Sequence, residues 1–106
     1  MKKTTGKLVD GFTFKDKKHF EFEMRTIATA GELFDAEVES GGVENQLAFN
    51  GALMARQLER IGDCTGPFGI EHIRNMSPDD YGQLRAAQGK LNKVASKQAP
   101  ASESEK

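Results

Sequence analysis

Apolar positions along the chain switch from a period of two to a helical period near residue 30. In residues 19–25 (HFEFEMR), Phe20, Phe22 and Met24 point one way, and His19, Glu21, Glu23 and Arg25 the other. That alternation is the mark of a half-buried strand. Residues 7–14 (KLVDGFTF) place Leu8, Phe12 and Phe14 on one parity, with Asp10 interrupting. Lys15-Asp16-Lys17-Lys18 between them is a polar connector of hairpin length. The pattern predicts a β-hairpin over residues 7–25 with one aromatic face. Asp10-Gly11 is a competing turn signal, or it marks a bulge in the first strand. Residues 1–6 read as a flexible polar N-terminus.

Thr29-Ala30-Gly31-Glu32 has the spacing of a capping box. A helix over 30–39 follows, with Leu33, Phe34 and Val38 on one face and Ser40-Gly41-Gly42 as its stop. Val43, Leu47, Met54, Leu58 and Ile61 recur at helical steps and predict a second helix over 43–61, widened by Ala48, Ala52 and Ala55. Residues 63–69 form a Gly/Pro loop, and 70–75 a short helical turn. Ser77-Pro78-Asp79-Asp80 is a strong helix start: Ser caps, Pro suits the first position, and the acids meet the positive end of the dipole. The helix over 78–96 presents Tyr81, Leu84, Ala87, Leu91 and Val94 on one side, and 97–106 is expected to be a disordered tail. The expected class is α+β: an N-terminal β-hairpin followed by three to four helices, in one domain over 7–96.

The 106 residues allow one domain. No apolar run approaches the ~18 residues of a membrane span. The basic start is not followed by the apolar stretch of a secretory signal, so none is expected. Cys64 is the sole cysteine, which excludes an internal disulfide and favours an intracellular protein. Charge is uneven. Residues 1–25 carry seven basic and four acidic side chains, residues 26–63 two and seven, and residues 64–106 six and five. The acidic middle is either a solvated helix face or a surface for a basic partner.

Candidate chemistry is sparse. Cys64 and His72 flank the Gly/Pro loop, but their spacing does not force the thiolate–imidazolium contact a nucleophile needs. His19, Cys64 and His72 lack zinc-ligand spacing. Asp79-Asp80 suits a helix dipole better than a cation. Gly41-Gly42 and Gly66-Pro67-Phe68-Gly69 lack the phosphate-loop signature. No catalytic, cofactor-binding or metal site is expected, and the chain does not read as an enzyme. The hairpin is the best interaction feature. Its aromatic face must pack on something, and its edge can recruit a further strand.

The order of elements then carries a resemblance. A hairpin ends in Met24-Arg25 and is followed by Thr29-Ala-Gly-Glu-Leu-Phe-Asp-Ala-Glu37. A central segment ends in Leu58-Glu-Arg-Ile-Gly62. Then come Ile73-Arg-Asn-Met-Ser-Pro-Asp-Asp-Tyr81 and a closing helix. Over roughly residues 7–95 this resembles the small tail assembly chaperones of Mu-like contractile-tailed bacteriophages and their prophages. The resemblance implies a non-structural protein of the host bacterial cytoplasm, absent from the mature virion. It would bind the phage tape measure protein, keep it soluble and promote tail tube assembly, without cofactor, nucleic acid or membrane. It also implies a longer version of the chain made by a −1 ribosomal frameshift. Gln88-Gly89-Lys90 can be written CAG-GGA-AAG, which contains the slippery pattern GGGAAAG. The alternative for Gly89 is that it permits close helix packing. A homo-oligomer is expected, because many weak contacts along a long partner gain avidity. Phe12, Phe20, Phe22 and Phe68 are the candidate partner-binding residues, each with core packing as its alternative. The competing function is a small nucleic-acid-binding regulator using the basic N-terminal segment, which the acidic middle opposes.

Overall fold

In a computed structural model, residues 2–42 and 44–98 are described, with side chains as far as Leu91. The order is β1 (Lys3–Phe14), β2 (Lys17–Arg25), α1 (Ala30–Ser40), α2 (Gln46–Gln57), β3 (Leu58–Ile61), α3 (Ile70–Arg74) and α4 (Pro78–Gln98). The architecture is α+β, with the N-terminal hairpin extended to an antiparallel sheet in the order β1-β2-β3.

Several boundaries differ from the sequence reading; α2, for one, begins at Gln46 instead of 43. β1 begins at Lys3, inside the segment expected to be flexible. Lys3, Thr4, Thr5 and Gly6 pair with Arg25, Met24, Glu23 and Phe22. Gly6 makes this possible, because a Cβ there would stand 2.6 Å from the Phe22 ring. The second helix ends at Gln57 instead of Ile61, and Leu58–Ile61 is a strand. Leu58 and Ile61 sit three apart, which suits a helix face. A register shift in the β2–β3 ladder lets them face Met24 and Phe22, which are two apart. Both are buried. Strand pairing to the open edge of β2 therefore overrides the local helical pattern. α4 runs through Gln98, past the expected end at 96. Val43 and residues 99–106, including most of the expected tail, lie outside the described residues.

The core lies between the sheet and the helices α2 and α4. Phe22, Met24, Met54, Ile61 and Leu84 are fully buried, and Leu8, Leu58, Ile73, Ala87 and Leu91 surround them. A buried polar relay crosses it. The Gln88 amide donates to Gln57 Oε1 at 2.9 Å, and the Gln57 amide donates to the Arg25 carbonyl at 3.0 Å. Each amide is thus satisfied where an unpaired one would be costly.

The bulge at Asp10-Gly11 is real and wide. Residues 8–11 stand opposite Phe20 alone, between the pairs Lys7–Glu21 and Phe12–His19. The ladder cannot satisfy their amides. Asp80, 1% exposed in the first turn of α4, does so instead. Its carboxylate accepts from the N–H groups of Val9 (2.6 Å), Asp10 (2.9 Å) and Gly11 (3.1 Å). Successive backbone N–H groups turned the same way make such an anion-binding concavity. Ser77 Oγ in turn accepts from the Asp80 N–H at 3.1 Å, the cap expected from the sequence. One carboxylate thereby fixes the start of α4 onto β1.

Candidate functional site

The bulge decides the fate of the four candidate phenylalanines. Its odd surplus of residues shifts the register of β1. Leu8 lies on the face shared with Phe22, whereas Phe12 pairs with His19 in the ladder. Despite the shift in register, Leu8 lies in the core cluster and Phe12 packs against it. Phe12 meets Phe68 edge-on at 6.1 Å and His72 at 6.1 Å, and it packs against the same core cluster as Leu8 and Phe22. Phe12 is half-buried, and Phe68 is buried. Phe22 is entirely buried over Gly6. In this fold Phe22 and Phe68 are core side chains, while Phe20 is 42% exposed. It shares the parity of Phe22 and Met24 but lies beyond the cover of the helices.

Of the remaining polar candidates, His72 has a structural role. His72 Nδ1 accepts from the Gly69 N–H at 3.0 Å, closing the start of α3. No hydrogen bond joins it to Cys64 among the described residues. Nor does any group of three His, Cys, Asp or Glu side chains gather there to hold a metal.

Exposed apolar surface concentrates elsewhere, on α1. Sequence reading set Leu33, Phe34 and Val38 on one face of this helix, and such a face is ordinarily the buried one. The structure turns it outward: Phe34 is 65% and Val38 81% exposed, and Ala36 is the one buried residue of α1. At 100° per residue, Phe34 and Val38 each lie roughly 160° from Ala36, so they point directly away from α2.

Charge explains the orientation. Glu32 meets Arg25 through paired contacts of 3.2 and 2.6 Å and accepts from the Ala28 N–H at 2.7 Å. The hydrogen bond from Arg25 holds the Glu32 carboxyl at about 2, against an ordinary 4.5. The capping-box glutamate thus reaches back as expected, to the backbone of Ala28 and of Thr29, while Thr29 makes no side-chain cap. Arg25 is also 3.3 Å from Glu59 of β3, and Glu39 pairs with Arg56 of α2 at 2.8 Å. Glu32 and Glu39 flank Ala36 on the inner side. The other two acids of α1, Asp35 and Glu37, have no ion pair among the described residues, and they border the outward stripe.

A second apolar surface is a groove of about 500 Å³ between α2, α3 and the start of α4. Ala48 and Gly51 form its floor, Ile70, Ile73, Met76 and Tyr81 its walls, and Leu47 its rim. Leu47 is 71% exposed, although its helical spacing placed it on the buried stripe. Gly51 keeps the floor low, since a Cβ there would touch Ile73 at 3.4 Å. The Tyr81 hydroxyl donates to the Leu47 carbonyl at 2.8 Å, and burial raises its pKa. Sequence reasoning missed this groove because its lining residues come from three elements whose docking no local pattern specifies.

No helix among the described residues is long and apolar enough to cross a membrane. Neither the curated proteins nor the solved structures give a match to the chain. A family model described as "Tail assembly protein gp41" matches residues 8–102, which span the second half of β1 through all four helices. The chain belongs to this family of Mu phage tail assembly proteins.

Proposed function

We propose that this protein is a tail assembly chaperone that binds the phage tape measure protein, keeps it soluble and promotes growth of the tail tube around it. The observation that carries the reading is the open groove between α2, α3 and α4. In a tail assembly protein this small, it leaves Leu47 and the walls Ile70 and Met76 available to a partner. A tape measure protein is long and largely helical. A helix that offers apolar side chains at steps of three and four is the shape such a groove accepts. The chaperone acts in the host bacterial cytoplasm and departs before the virion is complete.

A frameshift-extended version of the chain is a second partner in this reading. Gly89 gives it support. It lies exposed within α4, and a Cβ there would meet nothing within 4 Å. Close packing therefore does not call for glycine at this position, whereas a GGGAAAG coding constraint would. The nucleotide sequence of the codons for Gln88, Gly89 and Lys90 tests this point directly.

The test of the main reading is co-expression with the tape measure protein encoded by the same phage. Tape measure protein is expected in the soluble fraction, bound to the tagged chain, and in the pellet when the chain is absent. Leu47→Asp, at an exposed rim position, is expected to keep the fold by circular dichroism and to lose the capture. Tape measure protein that is equally soluble and uncaptured in both cases would overturn the proposal.

A further inference from the structure

The groove between α2, α3 and α4 does not end at its own walls. Met76 and Ser77 line it, and they also line a second hollow of about 750 Å³. This hollow lies between β1, the Gly66-Pro67 turn and α3, with Phe12, Phe14 and Met76 among its apolar walls. The groove itself is short. Its floor runs from Asn45 to Gly51, about two turns of α2, so a long partner must leave it soon. A partner chain that continues past Met76 enters the second hollow.

The free polar groups of that hollow are mostly donors. Lys18 reaches it from the hairpin and has no ion pair among the described residues, with Asp16 of the turn, Asp10 of the bulge or any other acid. His72 Nδ1 accepts from the Gly69 N–H, which leaves the ring proton on Nε2. The amide of Asn75 is exposed at the end of α3. Two carboxylates line the same space, Asp10 and Asp80. Asp80 is spent on the three bulge amides, so Asp10 is the one free acceptor of charge in the lining. Glu71 and Asp79 are exposed beside the hollow but line neither cavity.

A helix C-terminus offers the converse of these donors. Its last four carbonyls have no partner within the helix, and they carry the negative end of the helix dipole. Backbone carbonyls are the same in every sequence. A site that reads them accepts many different segments of one long partner, provided that a helix stops there.

We propose that the second hollow receives the C-terminal end of the tape measure helix whose apolar face lies in the groove, with Lys18 and His72 donating to its last carbonyls. The inference rests on the reading of the groove given above. It adds a direction to the docked helix and a place where it ends.

The test is photo-crosslinking in the complex co-expressed with the tape measure protein of the same phage. A benzophenone amino acid replaces Leu47 in one chain and Asn75 in another, and mass spectrometry identifies the residues that each one reaches. Both are expected to mark one helical segment of the tape measure protein, within about ten residues of each other, or ~15 Å of helix. The residues reached from position 75 are expected at the C-terminal end of that helix. No link to tape measure protein from either position overturns the reading of the groove, and this inference with it. Links from position 47 alone leave that reading standing and overturn the inference. So do links from position 75 that reach only a second copy of this chain, or the start or middle of a helix. Charge at position 75 checks the chemistry. Asn75→Lys is expected to capture at least as well as wild type, and Asn75→Glu roughly tenfold less, because the end of the helix is negative. Equal capture by the two variants overturns the assignment of a helix C-terminus.

Discussion

Helices α1 and α4 are both amphipathic in sequence, and they dock in opposite senses. α4 turns Leu84, Ala87 and Leu91 into the core, as its spacing predicts. α1 turns Ala36 inward and shows Phe34 and Val38 to solvent. The difference lies in what anchors each helix. α4 is set on β1 by the Asp80 carboxylate, and that anchor and its apolar stripe face the same way. On α1 the anchors are Glu32 and Glu39, drawn to Arg25 and Arg56, and they lie across the helix from its largest apolar side chains. Periodicity identifies residues that share a face. It does not say whether that face turns inward when ion pairs compete for the orientation.

The largest effect is expected at Asp80. Asp80→Ala leaves three bulge amides without their acceptor and removes the tie between α4 and β1. Hydrogen bonds to a charged group contribute about 1.5–3 kcal/mol each, and they are not additive here, so a loss of about 3 kcal/mol is expected. Urea denaturation reads it as a lowered midpoint. A variant as stable as wild type would mean that the α4 stripe alone positions the helix.

On α1 the corresponding anchor is electrostatic, and its signature is a pH dependence. Glu32 has a folded-state pKa of about 2, below its ordinary 4.5. The lowered value means that the folded chain favours the carboxylate. Its contribution is therefore fully present above pH 4.5 and is lost as the pH falls toward 2. The pair is mostly buried, and a contribution of ~2 kcal/mol is reasonable for a shift of this size. Glu32→Gln is expected to lower stability at neutral pH by about that amount and to flatten the acid limb of the stability curve. An unchanged acid limb would assign the orientation of α1 to Ala36 packing alone.

The same contrast shows where the sequence was legible. The β2 strand, the Asp10-Gly11 bulge, the Ser77 cap and the face of α4 were all visible. In each, a local signal and the final packing agree. β3 was hidden because Leu58 and Ile61 fit a helix locally, and only the free edge of β2 and its register shift make them a strand. The burial of Phe68 was left open because it depends on Phe12. Where Phe12 lies depends in turn on a register shift that no two-residue pattern encodes. The orientation of α1 required knowing which arginines its glutamates would find. The groove required the docking of three elements at once.

Gly89 offers a smaller test on α4 itself. It is exposed in the helix with open space around its Cα. Gly89→Ala is expected to raise stability by about 0.5–1 kcal/mol through lower unfolded-state entropy and better helix propensity. A rise in melting temperature checks it, and a fall would show that α4 is strained at this point.

The smallest stability effect is expected where the exposed apolar area is largest. If α1 were docked like α4, replacing Phe34 and Val38 with Ser would remove two core side chains and cost several kcal/mol. In the orientation found here, neither side chain is buried. The double change should then move stability by less than about 0.5 kcal/mol, as surface substitutions do. Leu84→Ala on α4 is the matched control, with about 2–5 kcal/mol expected at its fully buried position. The ratio of the two urea midpoint shifts therefore measures directly whether α1 is held by its charged flanks. A large loss for the α1 pair would place Phe34 and Val38 in a packed interface of the isolated chain, and the outward face would have to be given up.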